Sequence, residues 1–179
     1  AAPGNWYRAT VPDAAPGDRY AFVIDNGPPL PDPRSPFQPD GPMRKSQLVD
    51  HAAFNWTDRK WSAPSLSGAV FYELHVGTFT PGGTFEAAIE RLDYLAELGI
   101  THVELMPVAE TPGTRNWGYD GVSLFAPHHA LGGPQGRRRW RRGDTWKDYP
   151  ATKTFSTTGL GSSTARGGRT RSTVGAGGR

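Results

Sequence analysis

Residues 69–83 read AVFYELHVGTFTPGG, and the fold is read outward from them. Val70 to Val76 is predicted as a strand. Phe71, Tyr72 and Leu74 are large and β-favouring, and turn residues bound the run on both sides. Alternation puts Glu73 and His75 on one face and Leu74 on the other. Next, Phe85, Ile89, Leu92, Leu95 and Ala96 recur at three and four residues, one face of a helix predicted over Thr84–Leu98. Thr84 is its N-cap candidate, with Gly83 able to share the role. Glu86 sits in the first turn, where a carboxylate favours the positive helix end, and Gly99 is the C-cap candidate. His102 to Val108 is apolar apart from Glu104, as a buried parallel strand should be. Strand, helix and strand within about forty residues open a parallel α/β unit. A long loop, AETPGTRNWGYDGVSLFAPHHALGGPQG (109–136), leaves the C-terminal end of the second strand, the edge where parallel folds bind ligands.

Upstream, residues 1–26 look like part of an antiparallel β module. Trp6–Val11 and Arg19–Ile24 are its strands, and PDAAPGD (12–18) is the turn between them. Two strands alone are marginal in water, so further strands are required. Residues 27–68 carry eight prolines between Pro28 and Pro64, a density that forbids helix and sheet interior. This segment reads as a linker draped over its neighbours and anchored by Phe37, Phe54, Trp56 and Trp61. A Pro-rich ligand for another protein's aromatic groove is the alternative. Leu48–Asp50 is a candidate last strand of the β module.

Charge divides the chain. Residues 1–136 hold nine Lys+Arg against fifteen Asp+Glu, a net of −6, whereas residues 137–179 hold eleven against two, a net of +9. The ordered-looking part is acidic, which argues against nucleic acid as a partner. The 43 residues from Arg137 onward include nine Arg, eight Gly and eight Thr with almost no apolar period, so a disordered, low-complexity tail is expected there. The chain has no cysteine, which removes disulfide and thiolate chemistry and is compatible with a reducing compartment. No apolar run approaches membrane-spanning length, and AAPGNWYR at the start has no signal-peptide pattern, so a cytoplasmic setting is expected.

Asn116, Trp117, Tyr119 and Asp120, in the segment NWGYD, are the candidate substrate-binding residues. Aromatic faces cover the apolar face of a sugar ring, while amide and carboxylate groups hold its hydroxyls. The competing reading makes Trp117 and Tyr119 plain anchors of the loop. Glu73, His75 and Glu104 read as a satisfied polar network or as neighbours of a polar site. Gly82-Gly83-Thr84 lacks the lysine a phosphate loop needs. His128 and His129 are adjacent, and on extended backbone they point opposite ways, so no metal is expected. No cofactor is implied.

FYELHVGTFTPGGTFEAAIERLDYLAELGITHVELMPV (71–108) followed by NWGYDGVSLFAPHHALGGPQG (116–136) resembles the opening of the catalytic barrel in the α-amylase superfamily of glycoside hydrolases. Within it, the resemblance is to the branch holding trehalose-releasing and glycogen-branching and debranching enzymes. DRYAFVIDNGPPLPDPRS (18–35) is the more specific run and favours the trehalose-releasing members, with Asn26 where an acidic residue is usual. The resemblance covers residues 4–136. It implies part of an immunoglobulin-like β-sandwich at 1–50, a linker at 51–68 and the first βαβ portion of a TIM (β/α)8 barrel at 69–136, ahead of the 137–179 tail. It also implies a substrate, maltooligosaccharide or maltooligosyltrehalose, cut at an α-1,4-glucosidic bond. Such enzymes use a carboxylate pair roughly 5–5.5 Å apart. The family's catalytic carboxylates follow its fourth, fifth and seventh barrel strands, and this chain reaches the second, so no catalytic residue is assigned here. Tyr119 matches the family tyrosine that packs on the sugar at the cleavage point. A non-catalytic carbohydrate-binding protein is the alternative of a different class.

In the family a barrel helix and a strand follow the position of Gly136. The switch from −6 to +9 at that point is explained by a reading-frame error or a wrongly joined coding segment. Two strands and one helix cannot bury both faces of a parallel sheet. Phe71, Val76, Val103 and Leu105 are therefore expected to be exposed, and the isolated chain to be unstable, aggregation-prone and inactive.

Overall fold

The computed structural model describes residues 6–56, 65–141, 154–156 and 174–177. In chain order these form β1 (Trp6–Ala9), β2 (Arg19–Tyr20), β3 (Ser46–Gln47), β4 (Phe71–Leu74), α1 (Val76–Phe79), α2 (Phe85–Ile89) and α3 (Leu92–Glu97). There follow β5 (His102–Leu105), β6 (Ala109–Glu110), β7 (Ser123–Pro127), a 3-10 turn (His129–Leu131), α4 (Gly133–Arg141), β8 (Thr154–Ser156) and β9 (Val174–Gly177). The fold is mixed α/β with small sheets. Among the described residues these have two or three strands, and neither a closed barrel nor an immunoglobulin-like sandwich forms. No helix among them is long and apolar enough to cross a membrane.

The parallel unit is present. β4 and β5 pair in parallel, with Phe71 beside His102, Glu73 beside Glu104 and Leu74 beside Leu105. β8 lies parallel on the other edge of β5. Alternation works as expected: Leu74, Val103 and Leu105 are buried against Phe85, Leu92 and Leu95, while Glu73 faces away and is exposed. Val76, Val103 and Leu105 are thus not exposed, because the helices and Trp140 cover that face; Phe71, on the other face, is half exposed.

Two helical boundaries differ from the sequence reading. β4 stops at Leu74, and the Phe79 amide bonds back to the His75 carbonyl at 2.9 Å, which starts α1. The helix over 84–98 is broken into α2 and α3 at Arg91, whose φ of −107° and ψ of 3° leave the helical region. No Gly or Pro marks that break, so the local sequence carries no signal for it. The ends follow the sequence. Thr84 Oγ1 accepts from the Ala87 amide at 3.2 Å, and Gly99, with φ +90°, closes α3. Thr84→Ala should cost about 1 kcal/mol, read as a lower urea midpoint with an unchanged m-value.

The N-terminal strands pair differently from the expected hairpin. β2 pairs antiparallel with β3, and β1 with β9. The chain near residue 18 is captured from downstream instead: the Gly17 amide bonds to the Leu48 carbonyl, and the Leu48 amide to the Asp18 carbonyl, both at 2.9 Å. The strand expected at 48–50 therefore lies slightly earlier, at Ser46–Gln47. The second N-terminal strand is interrupted after Tyr20. Phe22 and Leu30 form an isolated bridge across a tight turn in which Asp25 and Asn26 take positive φ, as short polar side chains tolerate. Parts of the Pro-rich segment are buried. Ser35, Gln38 and Ser46 are buried, and Ser46 Oγ accepts from the Asp32 amide at 3.0 Å. Phe54 and Trp56 meet edge to face; Trp61 lies outside the described residues.

The charge boundary at Gly136 is not a structural one. α4 runs through it to Arg141, and Trp140 is 2% exposed, tilted against Phe85 at 6.3 Å between centroids. Arg138 ties the helix to the linker, 2.6 Å from His51 Nδ1 and 3.3 Å from the Asp50 carbonyl. The disorder expected from residue 137 is therefore replaced by helix up to Arg141, and β8 and β9 also come from this region. Its other residues lie outside the described ones.

Candidate functional site

The NWGYD segment sits in the excursion between β6 and β7, close to the C-terminal ends of β4 and β5. Its polar residues brace the loop from inside. Asn116 is buried; its Nδ2 donates to the Ala109 carbonyl at 3.0 Å, and its Oδ1 accepts from the Gly118 amide at 2.5 Å. Asp120 accepts from the Trp117 amide at 3.1 Å and from Thr111 Oγ1 at 3.4 Å. Both side chains are thus engaged in loop geometry. Trp117 and Tyr119 are 82% and 75% exposed. The loop is held by its amide and carboxylate and presents its two aromatics to solvent.

Tyr119 reaches back to the sheet. Its hydroxyl donates to Glu73 Oε1 at 3.3 Å, and the adjacent Glu73 charge pushes the phenol above its ordinary range. His75 lies beneath the loop, close to Gly118. Its Nδ1 is buried with no hydrogen-bond partner among the described atoms, so the network expected around Glu73 and His75 is not a fully satisfied one.

A second polar cluster was not anticipated. His128 and His129 do not diverge: the chain turns from β7 into the 3-10 turn between them, and both Nδ1 atoms lie 2.9 Å from the same Glu110 Oε1. Glu110 Oε2 accepts from the His129 amide at 2.8 Å. These three residues form the group among the described ones able to hold a metal ion, although their donor atoms are already engaged with one another. Burial alone would raise the Glu110 carboxyl; the hydrogen bonds from both imidazoles and the His129 amide outweigh it and hold it below the carboxylate range. A depressed folded value means its stabilisation is present above the unfolded carboxylate pKa and is lost as pH falls through the folded one. The stability gap between wild type and Glu110→Gln should therefore be widest near neutrality and shrink below about pH 4, as read by urea midpoints across the acid range. No local signal announces this cluster, because Glu110 is 18 residues from His128.

The parallel strand–helix–strand unit with an aromatic loop at its C-terminal edge has a counterpart in solved structures. A crystal structure of a Salmonella typhimurium protein provisionally described as an α-amylase matches with a TM-score of 0.75 and 41% identity, covering 82% of this chain and 24% of that one. Over the matched residues the chain is homologous, at the family level, to the malto-oligosyltrehalose trehalohydrolases of the α-amylase superfamily. The Mycobacterium tuberculosis enzyme of that name is 52% identical over 141 residues, 76% of this chain, and the Deinococcus radiodurans enzyme 48% over 132 residues, 74% of this chain. The chain spans 24% and 22% of the length of these two relatives. No protein-family model matches it.

Proposed function

We propose that this chain is the N-terminal part of a malto-oligosyltrehalose trehalohydrolase, a glycoside hydrolase that releases trehalose by cutting an α-1,4-glucosidic bond of maltooligosyltrehalose. Its domain plan is then an accessory β module at 1–50, a linker at 51–68, and the opening of the catalytic barrel from residue 69. The barrel segment continues through α4, since Trp140 packs on Phe85 of α2. The 52% identity to the M. tuberculosis trehalohydrolase is the observation that carries this reading. The exposed Trp117 and Tyr119 at the strand mouth support a saccharide role: two rings held out by a braced loop offer stacking surface to a sugar. The bond-breaking carboxylates belong to barrel strands beyond these, so the contribution assigned to this chain is substrate binding by Trp117 and Tyr119, with Asn116 and Asp120 shaping the loop.

Saccharide binding tests it directly. Titration of the chain with maltooligosyltrehalose, followed by tryptophan fluorescence, should show saturable binding that weakens about tenfold or more in Tyr119→Ala and Trp117→Ala. Equal binding by wild type and both variants would remove the loop from the site. Joined to the remaining barrel of a trehalohydrolase, the chain should support trehalose release; a branched glucan product would favour the branching-enzyme alternative.

A further inference from the structure

We propose that Glu110 is a positioning residue, which through His128 and His129 fixes the neck of the loop that presents Trp117 and Tyr119. The proposal rests on the saccharide reading for its purpose but not for its structural content. The backbone alone holds this neck weakly. β6 has two residues, its register with β7 is irregular between Ala109 and Glu110, and a short two-stranded pairing is marginal in water. Beside that pairing, the Val122 amide bonds to the Glu110 carbonyl and the His128 amide to the Val108 carbonyl, both at 2.8 Å. The loop interior is braced by Asn116 and Asp120, so the neck is where the loop as a body would pivot.

The Glu110 side chain closes that pivot. It leaves the outgoing strand and reaches the far end of the returning one, where it accepts from His128 Nδ1, His129 Nδ1 and the His129 amide. It accepts from the Thr111 amide at 3.2 Å as well. Four donors converge on two oxygens. Three of them share Oε1 and the His129 amide takes Oε2; a carboxylate, acceptor-only at both oxygens, suits such a set, whereas a carboxamide would turn its NH2 towards a donor. The clamp is tied to the core from the other side. Gly132, at φ +108°, ends the 3-10 turn, the Gly133 amide returns to the His128 carbonyl at 3.2 Å, and Leu131 is buried among the core residues. Loop, clamp and core are thereby one mechanical unit, and the aromatic pair is held ready before a sugar arrives. Preorganisation of this kind strengthens binding by lowering the ordering cost at association.

The test is amide hydrogen exchange on the full chain, which needs no ligand, followed by maltooligosyltrehalose titration. Glu110→Gln preserves volume and removes acceptors. It should speed exchange at the Trp117, Gly118 and Val122 amides about tenfold or more while leaving the Leu98 amide of α3 unchanged. His129→Leu, at a partly exposed ring, should produce a smaller effect at the same amides and supplies the reading if Glu110→Gln does not fold. Where wild type binds the saccharide, affinity should fall in step with loop exchange; loosening without any wild-type binding would uphold the clamp and defeat the saccharide reading. Unchanged loop exchange would overturn the proposal, as would a uniform rise that includes α3, the mark of a purely global effect. A one-to-one zinc complex of wild type that Glu110→Gln abolishes would also overturn it, by making the cluster a metal site.

Discussion

Phe85→Ala should lower the stability of this chain by about 3–5 kcal/mol, the range for emptying a buried aromatic site. Phe85 is fully buried, and what surrounds it makes collapse of the cavity difficult. Trp140 leans on it from α4, and a Cβ on Gly136 would stand 3.1 Å from its Cδ2, so the backbone of α4 already presses against the ring. The ring is therefore a main contact between α2 and the helix that crosses the charge boundary. Its loss should release α4 as well as open a void. A domain has about 5–15 kcal/mol in total, so the variant should have little left. The measurement is the urea midpoint by far-UV circular dichroism, with Leu98→Ala as control. Leu98 is largely exposed, and its truncation should stay within about 0.5 kcal/mol. Equal effects at the two positions would mean that α2 and α4 do not share a core.

The second large effect is expected at Gly121→Ala. A Cβ built there would stand 2.6 Å from the Ala109 Cβ, with the Ala109 Cα 3.6 Å away. Ala109 has no flexible end to swing aside, so β6 and the returning chain must part. Overpacking of this type costs about 1–3 kcal/mol. The strain falls at the neck beside Glu110, so the Val122 amide should lose its bond to the Glu110 carbonyl and exchange faster. Gly113→Ala is the contrast. Its φ of +81° is strained for alanine, but nothing lies within 4 Å of the added atom, so its cost should stay near the 1–2 kcal/mol of the left-handed backbone and leave Val122 protected. If Gly113→Ala exposed Val122 as strongly, close packing at Gly121 would not be what holds the neck.

Much of the barrel-like unit was legible because its signals are local. The alternation through Phe71–Leu74, the apolar stripe from Phe85 to Ala96, the Thr84 cap and the Gly99 terminus each depend on neighbours within a few residues. The candidate loop was legible as a place, since it follows a parallel strand, and as a composition. The division of labour inside it was not. Asn116 and Asp120 bond groups of their own loop, which short polar side chains do readily but which no local pattern announces. The break at Arg91 carries no Gly or Pro, and the pairing of β2 with β3 joins segments separated by most of the Pro-rich run.

Charge misled for a physical reason. The run of arginines after Gly136 reads as a solvated tail when counted, but a helix sorts residues by angle. Trp140 turns inward onto Phe85 while Arg138 reaches across to His51 and Asp50. The histidines misled similarly. On extended backbone His128 and His129 would diverge, and only the turn between them brings both rings to Glu110.

By itself, then, the sequence determined the periodic elements, the parallel β4–β5 unit, the loop that carries Trp117 and Tyr119, and the family resemblance, since these reside in short-range pattern and residue type. The tertiary structure alone decided which strands pair at the N-terminus, that α4 continues through the charge boundary to bury Trp140, and that Glu110 collects both histidines. Those outcomes depend on contacts between residues far apart in the chain, and each is settled by which distant group arrives to satisfy a buried surface or a buried charge.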